Sequence, residues 1–301
     1  MKNKINFKHH FSTSIAAMLL LFFTMSACDQ AIDNTGTFRV VMHDNPGEFK
    51  EVWIEVLRVE VNNLDDEENG WQVISEPGKQ YDLLELVNGN QAVLADTELE
   101  AGTYRQIRLI LGNDNYVVLY GENGENGETF GLKTPSAQQT GVKLNIDAEI
   151  LPGITYTLGL DFDVNKSIVK RGNAPVPDPY LLKPVIRAYA QTETGIISGV
   201  VNPYVEGTMV STEVGEGTVS TYVEEETGAF KLIGLPAGTY DIVVDAGVDY
   251  DLVTVEDVEV VAGETTDVGV IDLEEDDNGN GANGDDDNGN DDDNGNGENE
   301  Q

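Results

Sequence analysis

The chain has 301 residues, 55 acidic side chains against 17 lysines and arginines, and a formal net charge of -38. Such a balance excludes nucleic-acid binding, which needs clustered cations to neutralise phosphates, and it opposes electrostatic adhesion to anionic lipid. A single cysteine excludes intramolecular disulfides, so the fold must rest on packing.

Residues 1–27 read as an export signal. Lys2, Lys4 and Lys8 form a basic start, and Ile15 to Phe23 an apolar run too short to span a bilayer. Met25-Ser26-Ala27-Cys28 closes the segment. Its small residues before cysteine resemble the bacterial lipobox, with Met25 where leucine is usual. The resemblance implies cleavage before Cys28 and diacylation of its sulfur, which makes the membrane a partner through the acyl chains. More than one chain is needed for a stable anchor. Residues 28–36 form a short polar tether.

Residues 37–191 read as a β domain. Phe38–Met42, Val52–Val61, Tyr104–Leu111, Tyr116–Tyr120, Val142–Ile146, Tyr156–Phe162 and Val185–Ala190 are rich in β-branched and aromatic residues and are separated by Gly, Asn, Asp and Pro. The alternation in 52–61 changes phase near Leu57, which predicts a β-bulge. Gly121–Gly127 reads as a polar hairpin tip, and Tyr81–Val87 as the one plausible helical turn. Thr192–Gly195 reads as a linker to a second β domain, residues 195–273. Its expected strands are Ile196–Asn202, Thr218–Val223, Ala229–Ile233, Tyr240–Asp245, Leu252–Val261 and Asp267–Leu273, with a glycine-broken region after the first. The fold class expected is all-β: two β-sandwich domains of Ig-like or prealbumin-like type in tandem, behind a cleaved signal peptide.

A phrase recurs. Leu99-Glu-Ala-Gly-Thr-Tyr104 returns as Leu235-Pro-Ala-Gly-Thr-Tyr240, and more loosely as Leu151-Pro-Gly-Ile-Thr-Tyr156. Each is a turn feeding a strand, with glycine supplying a positive φ and tyrosine turning toward the core. In sandwich folds such a phrase marks a crossover at a sheet edge. Residues 274–301 hold twelve acids and no Lys or Arg. With almost no apolar surface to bury, this tail is expected to be disordered.

Two family resemblances follow from these phrases. Gly36–Pro46, Tyr81–Gly89, Leu99–Leu109, Leu132–Ser136, Thr140–Leu144, Leu160–Ile168 and Tyr180–Arg187 resemble the bacterial lipoprotein family known as domain of unknown function 4382. That family brings no established activity. Ile197–Val201, Thr227–Phe230 and Gly234–Tyr240 resemble the carboxypeptidase regulatory-like (transthyretin-like) sandwich, with a departure over 203–217. This second resemblance implies structure or recognition, not peptidase activity.

Few residues offer chemistry. His43, the only histidine after residue 27, sits in His43-Asp44-Asn45-Pro46 and reads as a surface turn residue. After residue 27 there are no paired histidines, and no CxxC or phosphate loop is present, so no cofactor is expected. Asp161 and Asp163 share one strand face about 6.6 Å apart. They form a candidate cation or acid–base pair, or they face solvent and pair with Lys143, Lys166, Lys183 or Arg187. In the tail, Asp276, Asn278, Asn280 and Asp287 follow the opening of a calcium loop, which suits weak Ca²⁺ association at most. Trp53, Trp71, Tyr116, Tyr120, Tyr189, Tyr204, Tyr222 and Tyr250 are candidates for a sugar-stacking platform, against service in the cores. The leading reading is a lipid-anchored, exported, non-enzymatic envelope protein with a structural or recognition role and an envelope protein or glycan as partner. The alternatives are a glycan-binding lipoprotein of a polysaccharide-uptake system and a carboxylate-dependent hydrolase.

Overall fold

A computed structural model describes residues 34–63, 70–122, 125–134, 140–172 and 179–276. The export signal, Cys28, the centre of the 121–127 tip, Asn278, Asn280, Asp287 and the rest of the tail lie outside the described residues.

The first half of the chain runs through β1 (Thr35–Asn45), β2 (Glu51–Asn62), β3 (Trp71–Ser75), β4 (Lys79–Asp82), β5 (Ala92–Glu100), β6 (Gly102–Leu111), β7 (Tyr116–Tyr120), β8 (Asn126–Gly131), β9 (Val142–Ile150) and β10 (Thr155–Asp163). A helical turn, α1 (Val164–Ser167), leads to β11 (Ile168–Lys170), β12 (Tyr180–Leu182) and β13 (Ile186–Ala190). One sheet has the order β13-β10-β1-β5; a seven-stranded sheet is built on β8-β7-β2-β6-β9, with β3 and β4 also on β2. Phe38, Val40 and Met42 of the first sheet pack with Ile54, Ile107 and Leu109 of the second in one apolar core. Alternation of apolar and polar residues along each strand brings those side chains to one face.

The second half holds β14 (Thr194–Asn202), β15 (Met209–Val214), β16 (Gly217–Tyr222), β17 (Ala229–Pro236), β18 (Gly238–Asp245), β19 (Val253–Val260) and β20 (Thr265–Asp272). Its sheets have the orders β17-β14-β20 and β16-β15-β18-β19, with Ile197, Phe230, Ile242 and Val260 in a separate core. The fold is therefore all-β, two sandwiches in tandem.

Both sandwiches follow one plan. The first strand of each lies between an antiparallel partner (β5 or β17) and a parallel one (β10 or β20). The repeated phrase occupies the same place in both: it ends β5 or β17 and carries the chain to β6 or β18 in the opposite sheet. Its looser form, 151–156, carries β9 back to β10. Tyr104 donates its hydroxyl to the Glu100 carbonyl at 3.2 Å, and Tyr240 to the Pro236 carbonyl at 2.8 Å. Each tyrosine thus ties the corner to the backbone four residues upstream. The expected positive φ holds at Gly102 (φ 153°) and at Gly153 (φ 71°), but Gly238 is not among the positive-φ glycines. A Cβ at Gly238 would meet the Tyr240 ring at 3.5 Å, an ordinary van der Waals contact.

Other expectations fare unevenly. The bulge appears as a register shift between Val56 and Arg58, and the helical turn shrinks to a 3-10 turn at Leu83–Glu85 capped by Asp82. The glycine-broken region contains a strand, β15, paired with both β16 and β18. β5, composed of helix-favouring Ala, Leu and Glu, is held in the sheet by pairing with β1, which overrides propensity. Thr192–Gly195 is no open linker: a 3-10 turn spans Gln191–Glu193, and Thr194 already belongs to β14 and is buried.

Candidate functional site

The second sandwich sits on the outer face of the β13-β10-β1-β5 sheet. Strand alternation turns Val41, His43 and Asn45 away from the first core, yet all three are buried. What covers them is β16 and β17. Asn45 donates from Nδ2 to the Thr218 carbonyl at 2.6 Å and accepts the Ser220 N–H at Oδ1, 3.1 Å; the Ser220 hydroxyl donates to the same oxygen. Asn88, in the left-handed region at φ 55°, donates its N–H to Thr221 Oγ1 at 2.8 Å and its side-chain amide to the Ala229 carbonyl. Tyr222 donates to the Gly47 carbonyl at 3.2 Å.

Sheet register brings the charged groups of this seam together. His43 on β1 lies beside Asp161 on β10, which lies beside Arg187 on β13. Arg187 donates from Nη2 and Nε to Asp161 Oδ2, at 2.8 and 3.2 Å, and from Nη1 to the Gly234 carbonyl of β17 at 2.8 Å. One guanidinium therefore neutralises a buried carboxylate and holds the partner sandwich. Asp163 accepts the Lys166 N–H that starts α1 and pairs with Lys166 Nζ at 2.8 Å.

Tyr189 faces Gly159 across β10–β13. A Cβ at Gly159 would stand 2.3 Å from the Tyr189 ring, and one at Gly234 would stand 2.6 Å from it. The ring lies in this glycine cradle, and its hydroxyl reaches His43 Nε2 at 2.9 Å. A glycine inside a strand commonly marks such a close approach. His43 Nδ1 is 3.7 Å from Asp161 Oδ1, outside hydrogen-bond range. Burial pushes the His43 pKa down, opposed in part by Asp161 and aided by Arg187, so the ring is neutral at pH 7. Burial also raises the Tyr189 hydroxyl far out of the physiological range. Asp44, on the alternation that lines the first core, accepts no well-formed hydrogen bond at either carboxylate oxygen among the described residues, although the backbone N–H groups of Val164 and Asn45 approach it and partly offset its burial. Burial first, then the Asp161 charge, push its pKa well above 3.8.

The predicted site residues thus need revision. Asp161 and Asp163 do pair with Arg187 and Lys166, but they are 4% and 8% exposed and do not face solvent. His43 is a buried strand residue, 3% exposed, and not a surface turn residue, because the second sandwich covers it. Among the described residues no group of three or more His, Cys, Asp or Glu side chains is arranged to hold a metal ion. Asp276 donates its N–H to the Asp249 carbonyl at 3.0 Å; its predicted companions in the tail lie outside the described residues. Of the aromatic candidates, Trp71 stacks under Arg108, whose guanidinium carbon is 4.2 Å from the ring, and Trp53 lies nearly parallel to Tyr116 and donates to Glu51. Asn45, Asn88 and Ser220 carry no sequence signal beyond one: a run of polar residues, 43–45, continues a strand that begins as strongly apolar.

A groove of about 280 Å³ opens along the same seam. Gln91, Tyr189, Gln191, Lys231 and Glu264 are among the residues that line it. A smaller hollow of about 110 Å³ lies beside Asp161, Asp163 and Arg187, and a void of about 10 Å³, room for one water, touches His43 and Ser220.

Comparison with known proteins places the first sandwich. Residues 35–184 match the family model described as Domain of unknown function (DUF4382). The matched residues contribute one wall of the seam, including His43, Asn45 and Asp161; Arg187 and Tyr189 lie just beyond them. No curated protein matches the chain. Among solved structures, the Bacillus anthracis TIE protein aligns with TM-score 0.20 and 12% identity over 80% of this chain and 51% of its own. A putative cell adhesion protein from Bacteroides ovatus ATCC 8483 gives 0.21 and 12%, over 79% and 95%. GBS52, the minor pilin of Streptococcus agalactiae, gives 0.19 and 9%, over 79% and 96%. This chain spans about half the length of the Bacillus protein.

Proposed function

We propose that this protein is a lipid-anchored, exported envelope protein with a non-catalytic recognition role, presenting two docked β-sandwiches as one body. The observation that carries the reading is the seam. Asp161, Asp163, Arg187 and His43, the side chains best suited to acid–base chemistry, are bound to one another, to Lys166 or to Tyr189, and Arg187 also holds the second sandwich through the Gly234 carbonyl. Asp161 is 4% exposed and Arg187 holds its Oδ2 through two nitrogens, which commits the carboxylate to the fold although a small hollow adjoins it.

The anchor would be Cys28, seven residues before β1 begins at Thr35, so the first sandwich stands close to the bilayer surface. The second sandwich, residues 195–273, is read as the carboxypeptidase regulatory-like module and residues 37–191 as the DUF4382 domain. The twelve acids after residue 273 repel anionic surfaces.

The test is metabolic labelling with an alkyne fatty acid in an exporting bacterial host. Label on the wild-type protein, lost in Cys28→Ala together with membrane partitioning, is the expected result. An unlabelled, unprocessed N-terminus overturns the anchor. Turnover of any polysaccharide or ester by the purified protein overturns the non-catalytic role.

A further inference from the structure

A groove of about 280 Å³ lies where the two sandwiches meet, and three left-handed glycines from separate elements line it. Gly89 has φ 84°, Gly234 74° and Gly263 77°. Without side chains, these positions leave the cleft open. They belong to the loop before β5, to β17 and to the turn between β19 and β20, so the cleft exists only in the docked molecule.

The groups that line it are uncommitted. Asp161, Arg187 and Asn45 deeper in the seam are hydrogen-bonded, whereas the side chains of Gln91, Gln191, Lys231, Glu264 and Thr265 make no hydrogen bond or ion pair to the described residues. Two amides and a hydroxyl offer donors and acceptors side by side, the complement of vicinal diols. Ile196, Ile233 and Tyr189 supply apolar and aromatic wall for C–H faces. The single cation, Lys231, is offset by Glu264, and the chain carries net charge -38, so an anionic ligand is disfavoured. A wholly apolar ligand would strand the amides. The volume, about 280 Å³, is at the small end of ligand pockets, enough for one or two sugar rings.

We propose that this seam groove binds a short neutral saccharide, with Gln91, Gln191, Lys231 and Glu264 meeting its hydroxyls and Tyr189 lining the wall. The inference rests on the recognition role proposed above and supplies its ligand class. Because the groove is shared between the sandwiches, sugar binding also strengthens their docking.

The experiment uses the full chain and a panel of neutral mono- to trisaccharides, read by saturation-transfer NMR and calorimetry. Expected are binding of at least one saccharide, at least tenfold weaker affinity in Gln191→Ala, and no binding in Thr265→Trp, which plugs the mouth from an exposed position. Both variants should melt like the wild type. Trp53→Ala, on the far sheet, should bind normally. The proposal is overturned if no saccharide binds, if Thr265→Trp leaves affinity unchanged, if Trp53→Ala abolishes it, or if the groove takes short peptides in place of sugars. Failure here with lipid labelling of Cys28 intact removes the sugar site and leaves the anchored recognition role standing.

Discussion

Asn45 and Ser220 lie 175 positions apart in sequence, yet Asn45 Oδ1 accepts both the backbone N–H and the hydroxyl of Ser220. Its amide donates to the Thr218 carbonyl, so one side chain makes three bonds across the seam. Asn45→Ala leaves the Ser220 N–H and the Thr218 carbonyl without partners in a buried place. The expected loss is about 2 kcal/mol in urea unfolding. Asn45→Asp keeps the two acceptor bonds and turns the third into a repulsion against a carbonyl, so it should fall between Ala and wild type only at low pH.

Arg187 should be about as sensitive as Asn45. Its removal leaves Asp161 buried and unpaired, which costs several kcal/mol for a fully buried pair. The guanidinium is about one third exposed and partly screened, so Arg187→Ala is expected to cost about 2 kcal/mol. Arg187→Lys should recover little, because a point charge cannot reach Asp161 and the Gly234 carbonyl together. Proteolysis within 191–194 should accelerate in both variants, and unchanged cleavage would show that Arg187 does not hold the sandwiches.

The pH dependence has two opposing parts. Folded His43 holds its proton less tightly than the unfolded chain does, so its contribution is lost as pH falls below 6.5. Asp44 is raised, so the folded state holds its proton more tightly, and stability falls as pH rises above 3.8 toward the folded value. In Asp44→Asn the second slope vanishes. The stability of the Asn variant relative to wild type should therefore grow as pH rises from about 4 toward the folded-state pKa, by at most about 1.4 kcal/mol per pH unit. Parallel pH curves for the two proteins would refute a buried, protonated Asp44.

The two corner tyrosines separate burial from topology. Tyr104 is buried and Tyr240 is partly exposed, yet each donates to the carbonyl four residues back. Tyr104→Phe should cost about 1 kcal/mol with an unchanged denaturant slope. Tyr240→Phe should cost less, since water can satisfy the Pro236 carbonyl. Equal costs would mean that the corner, not its burial, sets the energy.

Much of the architecture was written locally. Alternation in 52–61 located the bulge near Leu57, and the 99–104 and 235–240 phrases marked chain crossovers, because turn chemistry and period-two patterning act over a few residues. Composition likewise excluded nucleic acid and disulfides. Strands β5 and β15 were hidden, since pairing with β1 or with β16 and β18 decides them and local propensity does not. The seam was hidden for the same reason. In the sequence His43, Asp44 and Asn45 look like a turn, and Asp161 and Asp163 look like a solvent face. Docking of the second sandwich covers His43, Asn45 and Asp161 while the first core encloses Asp44, and burial sets the state of His43 and Asp44, the partners of Asp161 and the groove beside Tyr189. Local pattern determines which residues form strands; which strand face meets which is settled by contacts far apart in the chain, and the charge state of these buried groups is set there.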